Sequence, residues 1–277
     1  MSGIAIVTAF FDIGRGDWTA NRGLPSYLQR TTDTYFERFA HMARLENEMV
    51  VYTSEDLADR VRGIREDKRH RTTVITVDFL NDFQERRDAI RKIQSDPSYI
   101  AKINPRQVRN PEYWSADYVL VNLLMSSFVN RAVGSGLIES EMVAWLDFGY
   151  CREAATLNGV SLWQYPFDEC KIHCFQLKQV DPRLRIENVV ANNDVHIIGS
   201  SVIASKRMWP ELGRLVDESF RELVELQLVD DDQTLLLMAA LKEPDKFVFH
   251  RIAPDDWFVV FRRFQHPPAG SEVRLPC

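Results

Sequence analysis

The chain has 277 residues, 45% hydrophobic and 27% charged, with 12 Gly, 12 Pro and a net charge of −6. This is the composition of an ordinary globular protein, and its negative charge speaks against bulk attraction to nucleic acid or anionic lipid. No Pro/Gly/Ser-rich linker or low-complexity run marks a boundary, so one domain with a sizeable core is expected over residues 1–277.

The chain opens on a β-branched apolar run of strand length, residues 3–11, closed by the loop "DIGRGDW" with two glycines and two aspartates. Apolar residues at helical spacing follow over 26–45. A second strand spans 47–54, where Ser54-Glu55-Asp56 caps the next helix, and a third spans 72–79. Strand, helix, strand at this spacing predicts βαβ units and a parallel sheet. The basic run "RVRGIREDKRHR" is interleaved with acids and reads as a solvated helix face rather than a phosphate patch. Residues 80–99 read as a charged helix, and 116–138 as one long helix apolar enough to lie against a sheet. Its apolar core is too short, and too interrupted by Asn and Ser, to span a membrane. Then come a strand, "MVAWLDF", and short strands around Cys174, Val189 and 195–203. A helix over 209–227, a second helix in "LVDDDQTLLLMAAL", and the strands "FVFHRI" and "WFVVFRRF" complete the chain. The fold class expected is α/β with a mixed, mostly parallel sheet flanked by helices.

The cysteines are Cys151, Cys170, Cys174 and Cys277, with no secretory signal, so free thiols in a reducing cytoplasm are expected. "CKIHC" spells two zinc-ligand types, but a structural site needs four ligands and buried thiols in a strand are the better reading.

Four constellations can carry chemistry. The loop after the first strand faces ligands in open α/β sheets, and Gly14 and Gly16 would let the backbone approach a phosphate, although the third glycine of a dinucleotide fingerprint is missing. Asp147, in "WLDFG", is a lone carboxylate at the end of a buried strand. The Gly-rich loop, strand lysine and catalytic-loop Asp of a kinase are absent, which leaves cation or sugar binding, or a turn cap. Asp230, Asp231 and Asp232 open an apolar helix: one can cap it, and crowded carboxylates raise one another's pKa. His250 on an apolar strand is, alone, better read as a core histidine.

Several stretches together, "IVTAFFDIGRGDW", "YLQRTTDTYFERFAHMA", "EYWSADYVLVNLLMSSFV", "AWLDFGYCR" and "DDDQTLLL", resemble the bacterial HtrL/YibB family, whose genes lie among lipopolysaccharide and capsule loci; the match spans roughly Ile4 to Phe264. The resemblance implies a GT-A-like, nucleotide-sugar-dependent glycosyltransferase acting on a surface glycan or glycolipid, with a UDP-sugar first among donors. It implies a cytoplasmic protein, at most peripheral to the inner membrane, with no nucleic-acid partner. The nucleotide-binding half would be 1–150, the acceptor side 151–265 and the tail 266–277.

On that resemblance Thr8, Ala9 and Phe10 line the base, and Asp12 and Arg15 lie beside the ribose and diphosphate. Asp147 takes the first carboxylate of the DXD motif. Gly149 stands where the second is expected, so a divalent cation (Mn2+ or Mg2+) would draw on Asp147 and His250. Asp231 and Asp232 are the catalytic candidates, the base in an inverting reaction or donor-positioning groups in a retaining one. The missing carboxylate favours an alternative, a non-catalytic glycan- or nucleotide-binding protein on the same scaffold. A nucleotide-sugar phosphatase or pyrophosphorylase is disfavoured, because no Lys-rich Gly loop is present. The aromatic stretch "DDWFVVFRRF" fits an acceptor wall or a core strand equally well.

Overall fold

The computed structural model of the chain describes residues 3–265; the tail, 266–277, lies outside them. Seven strands make one sheet: β1 (Ala5–Phe10), β2 (Met49–Thr53), β3 (Thr72–Thr76), β4 (Met142–Leu146), β5 (Ile172–Gln176), β6 (Ile197–Ser205) and β7 (Phe247–Arg251). Their order is β3-β2-β1-β4-β6-β5-β7. β1 pairs in parallel with β2 and β4, β2 with β3, and β5 with β7. β6 runs antiparallel to both of its neighbours. The sheet is therefore mixed and mostly parallel, as the alternation of elements predicts.

Helices are α1 (Thr32–Met42), α2 (Glu55–Ile64), α3 (Phe79–Asp82), α4 (Gln84–Gln94), α5 (Pro97–Ile100), α6 (Ala116–Leu123), α7 (Met125–Gly134), α8 (Ile186–Asn192), α9 (Met208–Glu225), α10 (Asp232–Lys242) and α11 (Val260–Arg263). Every residue of β1, β2, β4 and β6 is buried, as expected for strands covered on both faces. On one face Val7, Ala9, Val143 and Trp145 share a core with Phe128 of α7, Trp209 of α9 and Leu235 of α10. On the other, Ile6, Phe10, Ala144 and Leu146 share a core with Phe36 and Phe39 of α1 and Phe261 of α11. No helix among the described residues is long and apolar enough to cross a membrane.

The structure corrects five local readings. The helix expected over 26–45 starts at Thr32, where the Thr31 side chain accepts the Thr34 N–H as N-cap; 26–28 form a 3-10 turn after Pro25. The helix over 116–138 is two, α6 and α7, meeting at Leu124. Val189 lies in α8 and "WFVVFRRF" contains α11, neither of them strands, because a short apolar run does not distinguish strand from helix by periodicity. Finally, Arg65 of the basic run is fully buried. Its guanidinium donates to Ala43 O at 3.0 Å, Leu45 O at 2.5 Å, Asn47 O at 3.1 Å and Thr72 Oγ1 at 2.9 Å.

Candidate functional site

Parallel neighbours β1 and β4 end at the same edge of the sheet, the usual place for ligands in open α/β folds. The reversed β6 brings its beginning to that edge, and there the Asp147 N–H donates to Ser200 O at 3.0 Å. The N-terminus of α10 packs over the same point. Two contiguous cavities result, an inner recess of about 130 Å³ and an outer cleft of about 770 Å³, both lined by Arg15, Arg30, Tyr118, Asn122, Asp147 and Arg152.

Six of the seven expected donor-side residues, Ala9, Phe10, Asp12, Arg15, Asp147 and Gly149, line the recess. Asp231 and Asp232 line the cleft with Arg15 and Asp147. Thr8 lines neither: it is fully buried in β1, with its hydroxyl unpartnered. Asp12 spends both carboxylate oxygens nearby, accepting the Gly14 N–H of its own loop at 2.8 Å and the hydroxyl of Thr32, at the start of α1, at 2.5 Å. Gly14, at φ 77°, takes the left-handed turn that this loop needs. Arg15 is held from below: Nε and Nη2 donate to Leu28 O, Nη1 donates to Tyr35 Oη at 2.7 Å, and the guanidinium lies 5.1 Å from the Trp18 ring centre and 5.5 Å from that of Tyr118.

The three successive aspartates separate by role. Asp230 accepts the Asp231 N–H at 2.9 Å and the Thr234 hydroxyl at 2.8 Å. Asp231 is the N-cap of α10, accepting Gln233 N–H at 3.0 Å, and its other oxygen accepts from Gln233 Nε2. Asp232 accepts only from backbone N–H groups of its own turn, so its carboxylate faces the cleft without a side-chain partner. Burial first, and then Asp147 and Asp230, push its pKa well above the usual range. Asp147 is raised by burial as well, against the Trp145 indole N–H at 3.3 Å and the charges of Arg30 and Arg15.

His250 is not brought to Asp147. It lies on β7, with β6 and β5 between it and β4. It also points to the other side of the sheet: Asp147 follows the alternation of Val143 and Trp145, whereas His250 packs with Phe175 and Phe264 of the opposite core. Its ring stacks on His173, with Nε2 3.0 Å from His173 Nδ1, and burial, then His173 and Arg263, lower its pKa to about 3. The two-ligand cation site drawn through Asp147 and His250 is thus corrected. The "CKIHC" residues do not converge either. His173 faces His250, while Cys174 points into the other core as a free thiol that burial pushes up to about 12. Among the described residues no three His, Cys, Asp or Glu side chains gather as metal ligands.

The sequence reading missed the residues that give the cleft its character. Arg30, Arg38 and Arg152 line it with Arg15, and so do Glu112, Ser200, Gln233, Trp257 and Phe258. Three buried polar atoms without a partner belong to this wall: Arg38 Nη1, Glu112 Oε2 and Ser200 Oγ. Arg38 sits in α1 amid residues that otherwise read as an amphipathic helix, and Arg152 had only its position five residues beyond Asp147 to mark it.

Residues 2–266 match the family model described as a bacterial protein of unknown function, HtrL_YibB. Protein HtrL of Escherichia coli (strain K12) is 42% identical over 276 residues, covering 99% of this chain and 96% of that protein. Among solved structures, the crystal structure of mouse xyloside xylosyltransferase 1 in its apo form is 10% identical with a TM-score of 0.39 over 99% of each chain, a likeness too loose to bear on activity. With the family model covering nearly the whole length, this chain belongs to the HtrL_YibB family.

Proposed function

We propose that this protein is a GT-A-like glycosyltransferase that moves a sugar from a nucleotide-sugar donor, a UDP-sugar first, to a glycan or glycolipid of the bacterial cell surface. The observation that carries this reading is the meeting, beyond the ends of β1 and β4, of a Gly-containing loop, an arginine-rich wall and the carboxylate of Asp232, which has no side-chain partner. The recess beside Phe10, Asp12 and Gly149 suits a nucleotide, and the wider cleft suits the two sugars between which transfer occurs.

Transfer leaves negative charge on the departing diphosphate, and fixed positive groups in a half-buried site stabilise such charge strongly. Arg15 is already immobilised by Leu28 and Tyr35, so it needs no reorganisation as charge develops. A carboxylate whose pKa is raised toward neutrality is the stronger base. In an inverting reaction Asp232 takes the proton of the acceptor hydroxyl; in a retaining one the same group faces the positive centre of the donor sugar. Asp231, committed as N-cap, holds the start of α10 and thereby the position of Asp232.

The test is release of nucleoside diphosphate from a panel of nucleotide sugars, with thermal shift run in parallel, since a ligand of the native state alone raises the melting temperature. Turnover lost in Asp232→Asn with binding kept supports the proposal. No binding and no release with any donor would sink it. One feature favours a second reading, a glycan- or nucleotide-binding protein without catalysis: Gly149 in place of a second carboxylate. Binding without turnover would select that reading.

A further inference from the structure

Four arginines, Arg15, Arg30, Arg38 and Arg152, line one cleft in a protein whose net charge is −6. None of them makes an ion pair among the described residues, although many arginines on the surface do. Arg38 lies near enough to Arg30 and Arg15 for their charges to depress its pKa, after the effect of burial itself, and its Nη1 is a buried donor with no acceptor. Arg152 rests on the Phe258 ring at 4.5 Å, which leaves its N–H edges open. Gathering like charges in a half-buried cleft is costly, and the neighbouring carboxylates of Asp147 and Glu112 feel the arginine charges without forming an ion pair with any of them. The cost is relieved when an anion of two or more charges enters and accepts their N–H groups.

The cation that the family resemblance implies fits these residues poorly. Mg2+ and Mn2+ favour several oxygen ligands, and His250 is on the far face. The position two residues after Asp147 is crowded: a Cβ on Gly149 would stand 3.2 Å from the Tyr35 ring, which would have to give by a few tenths of an ångström, and in contact with Cδ of Arg38 at 3.5 Å. A second acid there would lie against the Tyr35 ring and the stem of Arg38. Asp232 is a carboxylate whose charge reaches Asp147, but Asp231 is spent as the N-cap of α10, and among the described residues no third ligand joins them in a metal-binding group.

We infer that the diphosphate of the ligand is held by the guanidinium cluster of Arg15, Arg30, Arg38 and Arg152, without a divalent cation. This rests on the glycosyltransferase reading for the identity of the ligand, and goes beyond it in assigning both the binding groups and the independence from metal. Arg38 is the central member, because its stem lies beside Gly149 and its Nη1 is a buried donor without an acceptor.

The experiment is calorimetric titration of the full chain with UDP and with inorganic pyrophosphate, in EDTA and in excess Mn2+. UDP is expected to bind equally in both, within about threefold, with affinity falling as salt rises. Arg38→Ala should weaken UDP about tenfold or more, the loss of one charge-assisted bond. Arg38→Lys, which keeps the charge but not the planar fork, should recover part of that loss and serves as the check on folding. Asp147→Asn should bind UDP at least as tightly as the parent, since it removes a negative charge from beside the site. UDP binding that vanishes in EDTA and in Asp147→Asn would overturn the inference while leaving the glycosyltransferase reading intact. Unchanged affinity in Arg38→Ala would also overturn it. No binding of UDP, other nucleoside diphosphates or pyrophosphate in either condition would overturn both.

Discussion

Gly199 and Asp232 fit together only because one of them has no side chain: a Cβ on Gly199 would stand 1.9 Å from Oδ2 and 2.2 Å from Cγ of Asp232. The start of β6 is in this way a bare seat for the carboxylate that faces the cleft. Gly199→Ala should displace Asp232 and lower donor turnover by about 10²-fold or more, the size of effect that small misplacement of a catalytic group produces. Overpacking should cost about 1–3 kcal/mol of stability. Kinetics at a temperature well below the melting transition of the variant separate the two effects, and wild-type turnover in a folded Gly199→Ala would remove Asp232 from the mechanism.

Adjacent aspartates should behave differently. Asp232→Asn is expected to reduce turnover by about 10²–10⁴-fold with no loss of stability, because its carboxylate has no side-chain partner to lose. Asp231→Ala removes the N-cap of α10 and should cost about 1 kcal/mol of stability. Urea unfolding and steady-state kinetics on both variants check the assignment. The reverse pattern would make Asp231 the functional acid.

Glu112 supplies the pH dependence. It is 6% exposed, and its carboxyl is pushed up to about 7, first by burial and further by Asp230, with Arg15 acting in the opposite direction. Asp230 is raised in the same sense, to about 6. A folded-state pKa above that of the unfolded chain means that the native protein binds the proton more tightly. The contribution is then fully present below pH of about 4.3 and is lost as pH rises through about 7. Stability from these groups should therefore fall between about pH 4 and 7, by at most about 3.5 kcal/mol for Glu112. Glu112→Gln should flatten the profile and be more stable than the parent at pH 8. Equal slopes of unfolding free energy against pH in the two proteins would refute this.

Arg65 is a stability residue far from the cleft. Its burial lowers its pKa to about 10 without discharging it at neutral pH, and it satisfies three backbone carbonyls around the chain entering β2. A lysine presents one compact ammonium in place of a planar fork. Arg65→Lys should cost about 2–4 kcal/mol through buried carbonyls left unpaired and leave UDP affinity unchanged. Chemical denaturation alongside calorimetry gives both numbers.

The scaffold was readable because local pattern and tertiary role agree in β1, β2, β3 and β4, where each apolar run is bounded by turn residues. Asp147 stood out for the same reason, a charge where the pattern demands an apolar residue. The "DDD" stretch also stood out, although which acid caps and which faces the cleft depends on how α10 sits against β6, a contact made by residues some thirty positions apart. Arg30, Arg38 and Arg152 were invisible, because an arginine in an amphipathic helix or a polar loop looks like solvated surface until the fold shows what it faces. His250 misled in the opposite way. A histidine on a late strand says nothing about which face or which neighbour that strand takes, and here three strand positions and a whole sheet separate it from Asp147.

The reversed strand β6 has a consequence for how the chain acquires its cleft. Its wall is drawn from the loop after β1, the turn after β4, the start of β6 and the start of α10, so contacts across it join residues separated by more than two hundred positions. Closing such long loops is slow compared with forming local pairs, and an N-terminal fragment ending after β4 would carry Arg15 and Asp147 with nothing opposite them. The cleft is complete only when the polypeptide has been threaded through almost its entire length. A ligand that grips both sides should therefore slow the opening of the whole sheet, rather than of one loop.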